Sequence, residues 1–223
     1  MEHRINFAFN ARYEMIGVPS DQIEELWFVC HGHGQLAKYF IRKFECINDG
    51  KTLIVAPEGL YRYYLQGFTG RVGATWMTKE DRISDINNYL TYLSAVFNEI
   101  KSQLPNSVKT TLLGFSQGAA TISRFATQTE VDFEKLILWA GIFPPDLPKI
   151  ESTKKLSDKK TYFVVGNNDQ YASTEVFAEQ EKLAEQIKVT PERISFEGEH
   201  ELYEKVILQI RNNDSVQEQL SQL

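Results

Sequence analysis

The sequence predicts an α/β architecture: a mostly parallel central sheet with helices on both faces. Two observations lead there. Short apolar runs that stop at Gly, Pro or Asn alternate with segments of helical period along nearly the whole chain. Several of those runs are continuously apolar rather than alternating, as strands covered on both sides must be.

The chain begins with an alternation. Ile5, Phe7 and Phe9 point one way and Arg4, Asn6 and Ala8 the other, the pattern of a half-buried strand. Leu26 to Cys30 is an apolar run ending at His31-Gly32-His33-Gly34, and Thr52 to Ala56 is another, ending at Pro57. Residues 80–104 read as a helix, because Ile83, Ile86, Leu90, Leu93, Phe97, Ile100 and Leu104 recur at three- and four-residue spacing. Thr78 with Asp81 resembles a capping box at its start, and Pro105 marks its exit. A strand over 108–115 and a helix over 117–127 follow. Strands are expected at 136–140, 162–165 and 193–196, and a helix at 174–187. Leu202, Val206, Ile207 and Ile210 form a last helical face, and the polar tail from about 212 is expected to fray. The charged stretch 149–160 reads as a surface loop.

Bulk properties set the limits. At 223 residues the chain suits a single domain, 1–223. Its net charge of -6 repels polyanions, so nucleic acid is not an expected partner. Cys30 and Cys46 form no CxxC pair, and Cys30 reads as a buried free thiol. No signal-like start and no span of about 20 apolar residues is visible, so the expectation is a cytoplasmic protein without stable membrane insertion. Oligomeric state stays open.

The chemistry centres on Gly114-Phe115-Ser116-Gln117-Gly118. The bare Gly-x-Ser-x-Gly pattern is weak, but here a strand precedes it and a helix follows it. That strand-turn-helix is the setting in which a serine hydroxyl stands clear of the backbone as a nucleophile. The competing reading is that Ser116 merely caps the helix. A nucleophilic serine needs a base, normally histidine, and a carboxylate to orient it. His200 is the one histidine after Ser116, and it follows the strand at 193–196. Asp169 is the favoured carboxylate, because it ends the strand at 162–165 at the same edge of the sheet. Asp132, Asp146 and Asp158 are the alternatives.

An oxyanion hole needs two backbone donors. The amide after the nucleophile, Gln117, is one candidate, and His33 in the early Gly-rich loop is the other. His31 and His33 also invite a metal reading, but i and i+2 histidines without a third ligand make a poor zinc pattern. No metal and no cofactor is expected. Phe68, Trp76, Met77 and Phe143 are candidates for an acyl pocket.

Cys30-His31-Gly32-His33-Gly34, Gly114-Phe115-Ser116-Gln117-Gly118-Ala119, Gly166-Asn167-Asn168-Asp169 and Gly198-Glu199-His200 together resemble the phospholipase/carboxylesterase family of α/β-hydrolases, which includes the acyl-protein thioesterases. The resemblance implies a compact, lidless α/β-hydrolase fold. It implies Ser116, Asp169 and His200 as a triad, with the amides of His33 and Gln117 as the oxyanion hole. Two departures stand out: Gln35 follows Gly34, and the stretches 59–64 and 71–77 differ from the usual thioesterase sequence. They resemble a bacterial-type subgroup.

The activity implied is hydrolysis of a small carboxylic ester through an acyl-enzyme. An acyl thioesterase or lysophospholipase with the same triad is the alternative. From a different class, a catalytically silent hydrolase fold could serve as a binding module.

Overall fold

The computed structural model describes residues 1–221, the side chains of 174 and 213–221 excepted. Among the described residues nine strands form: β1 (Tyr13–Ile16), β2 (Glu25–Cys30), β3 (Thr52–Pro57), β4 (Tyr61–Tyr64), β5 (Val72–Thr75), β6 (Lys109–Phe115), β7 (Lys135–Trp139), β8 (Lys160–Gly166) and β9 (Glu192–Phe196). Seven of them build the main sheet in the order β1-β3-β2-β6-β7-β8-β9. Only β1 runs antiparallel to its neighbour; the other pairings of this sheet are parallel. The helices are α1 (Ala37–Phe40), continued by a 3-10 helix over Ile41–Ile47, then α2 (Arg82–Lys101), α3 (Gln117–Gln128), α4 (Lys149–Leu156), α5 (Thr174–Gln186) and α6 (Glu204–Ser221).

The two-sided burial follows from the period of two along a strand. In β2, Leu26, Phe28 and Cys30 join one apolar cluster, completed by residues of α2, α3, α4 and α5. Trp27 and Val29 join the other, completed by α1, the 3-10 helix and α6. Central strands therefore have no solvated face and need no polar alternation. Burial pushes the Cys30 thiol pKa far up, and both cysteines are free. No helix among the described residues is long and apolar enough to cross a membrane.

Three local expectations change. The alternation over 5–9 makes no strand, and Ile5 and Phe7 are exposed. Alternation supplies a face but not a partner; the outer edge of β3 is taken by β1, from Tyr13↔Pro57 to Ile16↔Ile54. The stretch 149–160 contains α4, whose Ser152 and Leu156 turn inward while the remaining side chains stay at or near solvent. Thr78 is not the cap of α2. Asp81 holds that position, and Thr78 N–H instead donates to Asp85 at 2.9 Å. Helix α6 continues to Ser221, and residues 222 and 223 lie outside the described residues.

The small sheet was not foreseen. Strands β4 and β5 form an antiparallel hairpin, Tyr61↔Thr75 to Tyr64↔Val72. It is tied to the loop after β2, where Gly34 N–H donates to Ala74 O at 2.8 Å and Ala74 N–H to Gln35 O at 3.0 Å.

Candidate active site

Because the strands are parallel, the loops after β2, β6, β8 and β9 emerge at one edge of the sheet, where sites of such folds gather. Ser116 is the residue after β6. Its φ is 53° and its ψ is -118°, a conformation that non-glycine residues rarely adopt. The surroundings impose it. Ser116 N–H donates to Trp139 O at 2.8 Å, and α3 begins at the next residue. The flanking glycines allow the crossing. A Cβ on Gly114 would lie 2.2 Å from Gly118 O, and one on Gly118 would lie 2.2 Å from Cys30 O. Ser116 does occupy the N-cap position of α3, yet its hydroxyl makes no capping hydrogen bond. Helix capping therefore does not account for it.

Asp169 and His200 meet across two loops. His200 Nδ1 lies 2.8 Å from Asp169 Oδ2, and Asp169 Oδ1 accepts the Tyr171 N–H at 2.9 Å. With one carboxylate oxygen fixed by the backbone, the other faces the imidazole in a single orientation. The loops themselves are laced together: Asn167 N–H donates to Phe196 O and Asn168 N–H to Gly198 O. Trp139 Nε1–H secures the far side of the histidine loop by donating to Glu201 O at 2.8 Å. The His200 ring sits between Phe115, 4.9 Å between centroids, and Tyr171, 4.7 Å.

The alternative acids stand elsewhere. Asp146 pairs with Arg124 at 2.6 Å and Arg82 at 2.7 Å. Partial burial raises its pKa, but the two guanidiniums outweigh that and hold the carboxyl below its ordinary value. Asp132 and Asp158 are exposed beside Lys159.

His31 and His33 prove to be different groups. His31 is fully buried. Its Nε2 accepts the Gly59 N–H at 2.9 Å, so Nδ1 carries the proton, 2.7 Å from Gly32 O. Burial lowers its pKa to about 4, which keeps the ring neutral. His33 is exposed to the site; its Nδ1 lies 3.1 Å from Thr75 Oγ1 and its Nε2 2.6 Å from the Tyr63 hydroxyl. Burial raises the Tyr63 pKa, so the phenol stays protonated. Both imidazoles are thus engaged by the protein. Among the described residues no protein acceptor meets the N–H of His33 or of Gln117.

Ser116, Gln117, His33, Asp169 and His200 all line one cavity of about 850 Å³. It extends beneath α5, where Ile142, Phe163, Val176 and Phe177 make its wall largely apolar. Gln180 anchors α5 there, accepting from Phe143 N–H at 2.7 Å and donating to Phe143 O at 3.1 Å. Arg193, which also lines the cavity, forms a two-point ion pair with Glu181. None of the four aromatic and Met candidates lines this cavity. Trp76 and Phe143 are fully buried in the core, Phe68 is 93% exposed, and Met77 contributes its carbonyl to Thr75 and Gln117. Large aromatics near a site are more often packing than lining. The lining comes from α3, α5, β8, β9 and the loops after β2, β7, β8 and β9.

Comparison with known proteins gives the family and the fold. The family model described as Serine hydrolase (FSH1) matches residues 29–203, well over half of the chain. No curated protein sequence matches it. Among solved structures, acyl-protein thioesterase 2 of Zea mays is similar with a TM-score of 0.68 at 14% identity, over 93% of this chain and 99% of that one. A phospholipase/carboxylesterase of Dyadobacter fermentans gives 0.62 at 17% identity, over 93% and 97%. A Bacillus cereus carboxylesterase gives 0.60 at 15%, over 86% and 88%. At these identities the likeness is one of fold, and the fold is that of the α/β-hydrolases.

Proposed function

Since this chain belongs to the serine hydrolase (FSH1) family, we propose that it is a carboxylesterase acting through an acyl-enzyme on Ser116. The observation that carries the reading is the Asp169–His200 pair at 2.8 Å, opening into the same cavity as the strained Ser116. In the proposed cycle His200 takes the Ser116 proton as Oγ attacks the ester carbonyl. Asp169 holds the Nδ1–H tautomer and stabilises the imidazolium. The amides of His33 and Gln117 receive the oxyanion; their lack of protein acceptors supports that role. His200 then protonates the leaving alkoxide and activates water for deacylation. The cavity wall of Ile142, Phe163, Val176 and Phe177 suits an apolar acyl group. No cofactor enters this cycle.

The chain acts in this reading as one domain on a small-molecule ester. Two free cysteines fit a reducing, cytoplasmic compartment. A thioester substrate would use the same atoms, and the Zea mays neighbour is named for that activity. Parallel kcat/KM measurements on an oxygen ester and the matching thioester rank the two.

The decisive experiment is labelling with a fluorophosphonate. Labelling that disappears in Ser116→Ala is the expected result. A wild-type protein that stays unlabelled, or equal labelling of the variant, overturns the hydrolase reading in favour of a silent binding module.

A further inference from the structure

The β4–β5 hairpin departs from the family pattern in sequence, and it supplies two side chains that the proposed cycle leaves unused. Thr75, buried at 3% exposure, ends β5. Its Oγ1 lies 3.1 Å from His33 Nδ1, 3.0 Å from Gln117 Oε1 and 3.1 Å from Met77 O. One hydroxyl thus touches the side chains of both residues whose amides are assigned to the oxyanion.

The proton inventory gives the direction of each bond. A threonine hydroxyl has one proton and two lone pairs. Gln117 Oε1 already accepts from Trp76 N–H at 3.2 Å, and Gln117 Nε2 donates to Met77 O at 3.1 Å, which fixes the amide's orientation. The Thr75 proton must then go to Gln117 Oε1 or Met77 O, since both are acceptors. His33 Nδ1–H must donate to Thr75, and in the neutral ring Nε2 accepts from Tyr63 O–H at 2.6 Å. The result is a directed chain from Tyr63 through His33 to Thr75, whose single proton goes on to Gln117 Oε1 or Met77 O. The backbone reinforces it through the Gly34–Ala74 and Ala74–Gln35 hydrogen bonds.

We propose that Thr75 is a positioning residue for the oxyanion hole: its hydroxyl locks the His33 loop to the start of α3 and so sets the spacing of the two amides. Tyr63 steadies the same loop through the outer face of the His33 ring. Oxyanion donors are effective only when held at the place where charge develops, and a misplacement of about 1 Å can cost 100-fold in rate. The hairpin is therefore part of the catalytic geometry without touching the reacting atoms. This inference rests on the proposed Ser116 hydrolase.

The test is Thr75→Val, which keeps the side chain's shape and removes the hydroxyl, with Thr75→Ser as the rescue. Steady-state kinetics on p-nitrophenyl butyrate are expected to show kcat reduced roughly 10- to 100-fold in Thr75→Val, with KM changed less than about 3-fold, as loss of a transition-state interaction requires. Thr75→Ser is expected to recover to within about 3-fold of wild type, and Tyr63→Phe to lose less than Thr75→Val. Thermal melts accompany each variant. Wild-type kcat in Thr75→Val overturns the proposal. So does equal impairment of Thr75→Val and Thr75→Ser, or a rate loss explained by a lower folded fraction. If wild type itself is not labelled at Ser116 by a fluorophosphonate, the hydrolase reading fails. If Ser116 is labelled and Thr75→Val retains full kcat, only the positioning role fails.

Discussion

The loops after β7 and β8 leave the same edge of the sheet on neighbouring strands, and each carries an aspartate that ends in a strong polar contact. Asp146, after β7, meets Arg124 and Arg82. Asp169, after β8, meets His200 and the Tyr171 amide. The first pair neutralises a guanidinium with a side chain only 4% exposed and helps to fasten the core beside α3. The second orients a ring that can gain and lose a proton. What separates a structural carboxylate from a candidate catalytic one is the partner the fold delivers, not residue type or nearness to a strand end. His31 and His33 repeat the lesson two residues apart: one is a buried neutral brace, the other lines the site.

The largest effect should come from exchanging the two aspartates' fates. Asp169→Asn is expected to lower kcat on a p-nitrophenyl ester by roughly 10³- to 10⁴-fold with the fold intact, since an amide supports the wrong imidazole tautomer. A large rate loss in Asp146→Asn and little in Asp169→Asn would reverse the assignment.

The histidine comparison predicts a pH effect next in size. His31 has a folded pKa of about 4 against an ordinary 6.5, so the unfolded chain binds more protons between those values. Its contribution is complete above pH 6.5 and is lost as pH falls towards 4. The loss amounts to about 3 kcal/mol of unfolding free energy. Urea titrations across that window check it, with His31→Asn expected to show a flatter acid limb than wild type.

Asp146→Asn should act on stability alone. It leaves the Arg124 guanidinium without its charged partner, although Tyr89 still accepts from it. Because Asp146 is one-third exposed, about 2 kcal/mol is expected rather than the full cost of a buried pair. Its kcat should stay within about 2-fold of wild type, read after correction for folded fraction by a thermal melt.

The smallest effect lies at the Arg193–Glu181 pair beside the cavity. Glu181→Gln weakens a half-exposed pair with Arg193 and should cost less than about 1 kcal/mol. If that pair closes the acyl cavity, the variant shifts the preference among p-nitrophenyl esters towards longer chains. An unchanged chain-length profile would place the limit elsewhere.

Legibility followed the range of the interaction. The elbow at Ser116 was readable because strand, glycine, serine, glycine and helix are contiguous. Its strain is local, set by Gly114 and Gly118 allowing backbone contacts that a Cβ would forbid. His200 was readable by elimination, and Asp169 by its place after β8. The β4–β5 hairpin was not readable. Tyr61 to Tyr64 mixes aromatic and charged residues without clean alternation, and besides their own pairing the two strands are tied to the loop after β2. The cavity wall was not readable either, because it is assembled from α5, β8, β9 and the loop after β7.

By itself the sequence determined the alternation of the central strands with α2, α3 and α5, the burial of the sheet on both faces, and the serine and histidine that stand at its edge, with Asp169 as the favoured carboxylate. These follow from periodicity, breakers and contiguous motifs, which are short-range properties of the chain. Only the tertiary structure decided that Asp169 and not Asp146 reaches an imidazole, that His31 is a neutral brace, and that Thr75 joins the His33 loop to α3. Each of those depends on contacts between segments tens of residues apart, where the fold's geometry chooses the partner.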